Sequence, residues 1–555
     1  MTTSIVTLAT LRHASKNDND PFSTFGSALS LSSTFASLVL FFVLCSGTLR
    51  AQDYLDIYSF PGFPGGCCPQ YPSVMAQGRD GNLYGITTTG GLNNLGTIFK
   101  ITPTGTLTTL FNFDTTHGST PIGGLVLGLD GNLYGTAERG GAHGFGNIFR
   151  ITPAGALTVI YDFTGGTDGG LPVAALMIGS DGNFYGTSHP GIAFRITSGG
   201  VFTPIASIPT DTFGPLALAS NGSYYGVTEF GGTNTDGTIY RITGTTSTTL
   251  YNFDGPHGAF PIGGLVVGSD GNLYGTTTAG GANNDGVIFR ITPAGAYTIL
   301  VNFDHTQPLL GYQAYAGLIA GSDGNLYGAT IWGGTYGDGV IFQMTTAGAY
   351  SVLTSFDAPG GDGAYATPMQ HSSGSIFGLT SRGGAVSNGV VYRFDTGLTP
   401  FVSLTNPVGL VGKPLGILGN GFTSTSSVTF NGTPASFHVL STHFLTATVP
   451  SGETGFVTVT TSSGTLISNK VFRVTPQITG FSPPNGKVGD SIVLSGAGLI
   501  QAEAITVGGV AVTAFTVNSD LQVTFKVPTG AKTGKIRLGT PGGIATSGAT
   551  FTVTQ

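Results

Sequence analysis

The chain has 555 residues, of which only 8% are charged, and its 20 basic and 27 acidic side chains give a formal net charge of −7. Lys and Arg do not cluster, which argues against a nucleic-acid partner, because such binding needs grouped basic side chains to neutralise phosphates. A hydrophobic fraction of 40% is ample for large cores and, together with 92 glycines, is typical of an exported β protein.

The chain begins with a leader, which we place at residues 1–51. Residues 35–45 form an apolar run, preceded by Arg12 and Lys16 and followed by small residues up to Ala51. This run is too short to span a membrane, which takes about 20 apolar residues, but it suits a secretory signal peptide. We therefore expect a secreted or cell-surface protein without stable membrane insertion after cleavage; an uncleaved anchor is the alternative.

Two cysteines remain after the leader, the adjacent pair Cys67 and Cys68. In an oxidising compartment they can form a vicinal disulfide, or they can pair with another chain. Metal binding is disfavoured, because two adjacent thiols without nearby His or further Cys lack the usual ligand spacing. The sequence therefore predicts no metal site here, and nothing in it indicates a cofactor.

The hexamer DGNLYG recurs with a period near 50 residues, which is the signature of a repeat architecture. In the unit at residues 264–304, turn residues divide the period into four short segments with the composition of β-strands. Four antiparallel strands per period match a propeller blade. The sequence thus predicts a seven-bladed β-propeller over residues 52–398. Exact or looser copies of the hexamer begin at Asp80, Asp130, Asp181, Asn221, Asp270, Asp323 and Ser373.

The two ends of the repeat array are complementary. The seventh unit has three strands but no clear fourth strand after residue 394, where the composition changes. Residues 54–60 precede the first hexamer and resemble the fourth strand at residues 297–303. We expect this N-terminal strand to complete the seventh blade, which would remove the open edges of a linear array.

The propeller's charges also follow the repeat. The Asp that opens the hexamer is followed by a basic residue in the third strand, 20 residues later in three units and 14 residues later in the shortened third unit. Burying that basic residue without a partner would be costly, so we predict structural ion pairs with N to O distances within about 4 Å. In units that lack one of the two charges, we expect a hydrogen bond in place of the ion pair. The predicted pairs are Asp80 with Lys100, Asp130 with Arg150, Asp181 with Arg195, and Asp270 with Arg290.

The period of 50 stops after residue 394, and two related segments follow. Residues 399–475 and 476–555 each contain many short strands in the same order, as expected of a β-sandwich. The motif PQITGFSPPNG at residues 476–486, with a later GAGL turn and a Val-Pro step, resembles the IPT/TIG family of immunoglobulin-like domains. The resemblance implies two immunoglobulin-like sandwiches, which after the propeller predicted from the repeats make an all-β fold.

The propeller units resemble a second family. The DGNLYG hexamer, the paired glycines and the GTIFKIT element within residues 86–102 are similar to the GloVer tandem repeats of exported bacterial proteins. This resemblance implies export and a repeat scaffold. It implies no catalytic residues.

Residues that depart from the repeat are the candidates for a binding site. In a propeller, the turns between second and third strands and the linkers between blades open on one face, the linker face, so their side chains can converge. Five histidines fall there, either as ligand-binding residues or as caps of turns. Three of them, His117, His257 and His305, lie in linkers, and His143 and His189 lie at the turns after second strands.

Aromatic and acidic residues on the same face add further candidates. Exposed aromatic rings can stack on sugars or anchor a protein partner, or can simply pack between blades. Two glutamates share one repeat position and form a candidate paired-carboxylate glycosidase site, unless they reflect repeat drift. The aromatic candidates are Trp332, Tyr336, Phe230 and Phe145, and the glutamates are Glu138 and Glu229.

Three functions are compatible with the sequence. The first is a secreted or cell-surface binding or adhesion protein that presents its propeller face to a glycan or protein partner on an IPT/TIG stalk. The second is an extracellular carbohydrate-active enzyme that uses Glu138 and Glu229 across a deep pocket. The third is a structural envelope protein without a small ligand, which a flat, glycine-rich face would favour. We favour binding over catalysis.

Overall fold

The protein is described by a computed structural model that covers residues 53–69, 73–210 and 212–555. The leader predicted at residues 1–51 lies outside the described residues. The described chain consists of β-strands joined by turns, with short 3-10 helices at Pro308–Leu310 and Phe422–Ser424. No helix within these ranges has the length and apolarity that crossing a membrane requires. The prediction of an all-β fold is confirmed.

Four-stranded antiparallel sheets, the blades, make up the repeat region, and seven of them are formed by the described residues. Strands are numbered here one to four from the inside outwards. In blades 1 to 6 consecutive segments of chain form neighbouring strands, whereas blade 7 takes its fourth strand from Asp53–Ser59. The strands are, for blade 1, Ala76–Gln77, Leu83–Thr87, Thr97–Ile101 and Leu107–Asn112; for blade 2, Leu125–Leu127, Leu133–Ala137, Asn147–Ile151 and Leu157–Asp162; for blade 3, Met177–Ile178, Phe184–Ser188, Ile192–Ile196 and Phe202–Ser207; for blade 4, Ala217–Leu218, Tyr224–Thr228, Thr238–Thr243 and Thr246–Asn252; for blade 5, Val266–Val267, Leu273–Thr276, Val287–Ile291 and Tyr297–Asn302; for blade 6, Ile319–Ala320, Leu326–Ala329, Val340–Met344 and Tyr350–Ser355; and for blade 7, Met369–Gln370, Ile376–Leu379, Val390–Asp395 and Asp53–Ser59.

The hydrophobic core of the propeller lies between the blades. The third strands are apolar on both faces, as in Val287–Ile291, where all residues except Arg290 are buried. Each sheet therefore packs against both neighbours, and the buried clusters each draw on two consecutive blades. One cluster joins Leu83 of blade 1 to Phe377 of blade 7. The stack of sheets thus forms a ring.

The ring closes through the N-terminal strand. Asp53–Ser59 pairs antiparallel with Val390–Asp395 and supplies the fourth strand of blade 7. The hydroxyl of Tyr54 donates a hydrogen bond to the carbonyl of Gly360 in the linker before that blade. Backbone groups that would be exposed at two sheet edges are therefore paired.

The turn between the first and second strands explains why the hexamer recurs. In blade 2, Asp130 Oδ1 accepts the backbone N–H of Asn132 at 3.1 Å, while Oδ2 accepts the Asn132 amide at 2.7 Å and the Tyr134 hydroxyl at 2.9 Å. Gly131 has φ 88°, which lets the chain reverse within the turn. Tyr134 is fully buried, so its hydroxyl needs this acceptor. The same bonds form at Asp80, Asp181, Asp270 and Asp323.

The predicted ion pairs are wrong in three of the four units. Arg195 lies 3.9 Å from Asp181, as expected. In blade 2, however, the residue opposite Arg150 on the neighbouring strand is Tyr134, and the Asp130 carboxylate is already bonded to Tyr134 and to the turn. Among the described residues, no ion pair joins Asp80 to Lys100, Asp130 to Arg150, or Asp270 to Arg290.

Of the three units that lack one of the charges, one replaces the ion pair with a hydrogen bond, as expected. Among the described residues no hydrogen bond joins Asn221 to Arg241 or Ser373 to Arg393, and Arg393 pairs with Asp395 instead. Gln343 donates to Asp323 Oδ2 at 3.4 Å in blade 6. In blade 4, Asn221 replaces the Asp and donates to the hydroxyl of Tyr225 at 2.9 Å. The buried tyrosine hydroxyl thus keeps a partner even where the hexamer has drifted.

Two immunoglobulin-like β-sandwiches follow the propeller. Each has two four-stranded sheets around its own buried cluster, with one additional parallel strand pair. Their strands are Ser403–Leu404, Val408–Leu410, Pro414–Leu418, Ser427–Phe430, Thr433–Pro434, Phe437–Val439, Phe444–Thr448, Val457–Thr461, Gly464–Ile467 and Arg473–Thr475 in the first sandwich, and Gln477–Ser482, Asn485–Gly486, Ser491–Ala497, Ala504–Val507, Val510–Ala511, Phe515–Ser519, Gln522–Lys526, Ile536–Thr540, Gly543–Thr546 and Thr552–Val553 in the second.

The first sandwich contacts the face that carries the hexamer turns. The guanidinium of Arg79 lies 4.3 Å from the ring centroid of Phe444. Asn406 Nδ2 donates to the carbonyl of Ser180 at 3.2 Å. These contacts reach blades 1 and 3 on the side opposite the linker face, because the hexamer turns and the linkers lie at opposite ends of the strands.

His371 is buried beneath this contact at the end of the first strand of blade 7. Its Nδ1 accepts the backbone N–H of Ser373 at 3.1 Å, and its Nε2 lies 3.1 Å from the carbonyl of Gly81 in blade 1. This pattern fits the neutral ring with the proton on Nε2. Burial lowers the pKa of His371 to about 4, although the Gly81 carbonyl favours the proton.

We expect the free energy of unfolding to fall as the pH drops from 6.5 towards 4, because the pKa of His371 falls from 6.5 to about 4 on folding. The unfolded chain takes up the proton first, so the contribution of His371 is complete above pH 6.5 and is lost as the pH falls through the folded pKa. The loss amounts to roughly 3 kcal/mol. Denaturant unfolding at pH 7 and pH 4.5 measures it. His371→Gln should make the free energy of unfolding depend less on pH. An equal dependence in the wild type and the variant would contradict this assignment.

We expect Asp130→Ala to lower the free energy of unfolding by about 1–3 kcal/mol, since it leaves the buried Tyr134 hydroxyl without its acceptor. A double-mutant cycle with Tyr134→Phe isolates that bond. Asp130→Ala should lower the free energy of unfolding clearly less in the Tyr134→Phe protein than in the wild type. Additive effects in urea unfolding would show that the carboxylate acts only within its turn.

Candidate functional site on the linker face

The linker face carries a cavity of about 540 Å³ formed by blades 1 to 4. Its walls come from the ends of second strands and from the linkers that lead into the next blade. Both kinds of segment border the centre of the ring, so side chains distant in sequence meet there. The lining residues are Thr88, Thr89, Thr120, Ile122, Glu138, Arg139, Leu171, Val173, Thr187, Ser188, His189, Thr212 and Phe213.

The cavity coincides with the shortened repeat unit. In blade 2, nine residues, 138–146, connect the paired ends of the second and third strands at Ala137 and Asn147. In blade 3 only three residues, 189–191, connect Ser188 and Ile192. The short turn lowers the rim of the propeller beside the cavity.

Thr187 places an unused hydroxyl in the cavity wall. The residue is 3% exposed, and its Oγ1 is buried without a hydrogen-bond partner in the protein. The threonines at the same position of blades 2 and 5, Thr136 and Thr276, donate to the carbonyls of Ala174 and Ala316 at 3.3 and 3.2 Å. In blade 3 the corresponding carbonyl, that of Gly214, instead accepts from Thr212 at 3.0 Å. Buried hydroxyls are normally paired, so an unpaired one in this wall is unusual. Because Oγ1 has almost no accessible surface, a ligand in the cavity meets it only when the Thr187 side chain rotates.

Glu138 and Arg139 form an ion pair in the cavity, with Arg139 Nη2 3.0 Å from Glu138 Oε1. The Glu138 side chain is only 14% exposed, whereas that of Arg139 is 62% exposed. Glu229 directly follows the second strand of blade 4, as Glu138 does in blade 2, and burial raises its pKa. It is not among the residues that line the cavity. The two carboxylates of the predicted glycosidase pair therefore do not line the same cavity.

The linkers beside the cavity hold non-glycine residues in the left-handed backbone region. Thr120 has φ 53° and Leu171 has φ 46°. A β-branched residue such as Thr rarely adopts this conformation. Backbone bonds hold it, since Thr120 N–H donates to Leu95 and its carbonyl accepts from Glu138. Phe260 and Gln313 adopt the same conformation at the equivalent positions of two other linkers, so this strain belongs to the repeat and does not mark the cavity.

The predicted histidines do not converge. His117 and His257 each place Nδ1 within 3 Å of an Asp in their own linker, Asp114 and Asp254, and so cap that linker. His117 borders a separate depression of about 810 Å³ between blades 1 and 2. His143 is exposed on its turn, while His189 lines the cavity.

His305 lies in an acidic group in blade 5. Its Nδ1 is 2.6 Å from Asp285 Oδ2. Asp285, Asp304 and His305 each place one potential ligand atom within 4.8 Å of the others. Asp304 also accepts hydrogen bonds from the backbone and hydroxyl of Thr306 at 2.9 and 2.6 Å, so these contacts are those of a capped turn.

The predicted aromatic residues lie on turns of the linker face, but none of them lines the cavity. Trp332 is half-buried, and the guanidinium of Arg382 lies 5.6 Å from its ring. Phe230 is 53% exposed and packs against Phe260 at 5.7 Å. Tyr336 is 66% exposed, and Phe145 is also exposed.

Cys67 and Cys68 form a vicinal disulfide on the same face. Gly66–Cys67 pairs with Thr89–Gly90, so the disulfide segment lies directly behind Thr89 of the cavity wall. Cys68 N–H donates to the carbonyl of Asn388 in blade 7 at 3.0 Å. The segment therefore ties blade 7 to blade 1 beside the cavity.

Sequence reasoning missed several lining residues because they belong to regular repeat positions. Thr187 occupies the same position as Thr136 and Thr276, and nothing in its residue type indicates an unused hydroxyl. Arg139 follows a candidate that was recognised, Glu138, and could have been found by comparing the residues after each second strand. The ten-residue shortening of the third unit was the clearest available signal.

Known proteins resemble this chain only weakly in overall structure. A search of curated proteins finds no match. A surface glycan-binding protein from Prevotella bryantii is 19% identical over 28% of this chain and 38% of its own, with a TM-score of 0.21. A second, from Bacteroides uniformis, is 24% identical over 27% of this chain and 48% of its own, with a TM-score of 0.15. The chain thus spans less than half of these two proteins.

A fungal alcohol oxidase of the AA5 family is 16% identical over 77% of this chain and 100% of its own, with a TM-score of 0.40. These structural similarities are too weak to indicate a function. The family models are more informative. The IPT/TIG model matches residues 400–472 and 476–553, and the repeat model matches residues 43–202 and 211–410, more than half of the chain. The chain belongs to the Gloeobacter/Verrucomicrobia repeat family and ends in two IPT/TIG domains.

Proposed function

We propose that the protein is a secreted or cell-surface binding protein whose linker face recognises an extracellular glycan. The cavity beside the shortened third blade is the observation that carries this proposal. Its volume of about 540 Å³ falls within the range of small-ligand sites, about 300–1,000 Å³. Its wall combines threonine and serine hydroxyls with one ion pair and apolar side chains, which suits a hydroxyl-rich ligand with apolar ring faces.

The position of the first sandwich supports a presenting role. It contacts the hexamer-turn face through Arg79 and Ser180, so the linker face points the other way. Two consecutive sandwiches can then act as a stalk. The leader predicted from the sequence supports export, and the vicinal disulfide fits an oxidising compartment.

The alternative functions have less support. A two-carboxylate glycosidase needs both acids at one scissile bond, but Glu138 is the one acidic residue among the described residues of the cavity wall. A structural protein without a ligand would suit a flat face rather than a cavity. A protein partner would fit the exposed Tyr336 and Phe230 better than the cavity.

We expect the purified protein to bind neutral glycans on a glycan array, and Thr89→Trp to abolish that binding by filling the cavity. The matched control is Thr104→Trp, an exposed threonine of blade 1 in the turn between the third and fourth strands, on the opposite face. Thr104→Trp should bind like the wild type. Equal binding by all three proteins would place recognition elsewhere, and binding to proteins alone would contradict the proposed function.

A further inference from the structure

We infer that the cavity binds a neutral sugar unit and excludes acidic sugars, with Thr187 and Glu138 as the residues that determine this specificity. The inference rests on the proposed function and names its ligand class. It rests on the unpaired hydroxyl of Thr187 and on the ion pair between Glu138 and Arg139 in the cavity wall.

The unused hydroxyl of Thr187 calls for a ligand group that can both donate and accept. Its Oγ1 is buried and has no partner in the protein. A hydroxyl offers one donor and two acceptor positions. A sugar hydroxyl has the same capacities and can satisfy Thr187 in either direction.

Two other hydroxyls of the wall already donate to carbonyl groups of the protein. Ser188 Oγ donates to the carbonyl of Asp168 at 3.0 Å, and Thr212 Oγ1 donates to that of Gly214 at 3.0 Å. They retain acceptor lone pairs, which suit ligand donors. These two hydroxyls can therefore accept hydrogen bonds from a hydroxyl-bearing ligand.

The charges of the wall favour the same ligand. Arg139 is a basic group of the cavity wall that an ion pair holds in place, with Glu138 as its partner at 3.0 Å. A ligand carboxylate would have to compete with Glu138 for that guanidinium and would lie close to the Glu138 carboxylate. Neutral hydroxyls instead donate to a carboxylate in charge-assisted hydrogen bonds, which are stronger than neutral ones.

Apolar side chains complete the fit. Ile122, Leu171, Val173 and Phe213 belong to the same wall. A pyranose ring exposes C–H groups on its faces, and these can contact apolar walls while its hydroxyls reach Thr187 and Glu138. The apolar and polar parts of the cavity therefore match one neutral sugar unit.

Titration calorimetry with maltose, cellobiose and mannobiose, and with digalacturonic acid as the acidic probe, tests the inference. The wild type should bind at least one neutral disaccharide more tightly than the acidic one. Thr187→Val should weaken that binding about threefold to tenfold, without loss of thermal stability, since the hydroxyl has no partner in the protein. Glu138→Gln should weaken it about tenfold.

Two matched controls separate binding from folding. Thr276→Val removes the equivalent hydroxyl of blade 5, whose bond to Ala316 is intact, so it should lower the melting temperature and leave the affinity unchanged. Glu229→Gln should also bind like the wild type, because Glu229 does not line the cavity.

The outcomes distinguish this inference from the proposed function. If the wild type binds glycans on the array but Thr187→Val and Glu138→Gln retain its affinity, the assignment of these residues is overturned and the glycan-binding function stands. Tighter binding of digalacturonic acid overturns the neutral ligand class alone. If the array shows no glycan binding, both the proposed function and this inference are overturned.

Discussion

The propeller depends on one recurring interaction, the hydrogen bond that a buried tyrosine hydroxyl donates, in five of the seven described blades, to the Asp that opens the hexamer turn. The tyrosine ring fills the space between two sheets, as Tyr134 does against Phe184 with ring centroids 4.1 Å apart. A ring of this size supplies much of the inter-blade packing, but its hydroxyl would be costly to bury alone. Asp130 meets this need and shapes the turn with the same carboxylate. One side chain thus couples the turn, the sheet and the contact between sheets, which explains why the hexamer is the most regular part of the repeat.

Because of this coupling, the two faces of the propeller differ in how far their turns can vary in sequence and length. The hexamer turns are built alike and form a uniform surface against which the first sandwich packs through Arg79 and Phe444. The linkers and the turns after second strands lack the hexamer, and their length and composition vary. That freedom allows the nine-residue turn at 138–146 and the three-residue turn at 189–191 to occur in neighbouring blades. Variation confined to one face produces a cavity without disturbing the core.

The sequence was sufficient for the fold because the fold is encoded by periodic signals. The hexamer spacing indicated the blades, and the resemblance of residues 54–60 to a fourth strand indicated how the last sheet would be completed. It was insufficient for the predicted ion pairs, because spacing places Arg150 at the correct end of its strand but does not reveal that Tyr134 occupies the space beside Asp130. It was insufficient for the site for a similar reason. Whether the Thr187 hydroxyl finds an acceptor depends on the neighbouring linker, which no local pattern records.

The pairing of Asp53–Ser59 with Val390–Asp395 also constrains the order of events during biosynthesis. The strand that completes the last blade leaves the ribosome before every other blade, and its partner follows more than 300 residues later. Contacts so distant in sequence make folding slow. The early strand must remain unpaired during this interval, and its charged and polar residues, including Asp53 and Asp56, help to keep it from pairing with other chains. Closure of the ring is therefore a late step. A chain without the strand Asp53–Ser59 would leave Val390–Asp395 as an exposed sheet edge that proteases could attack.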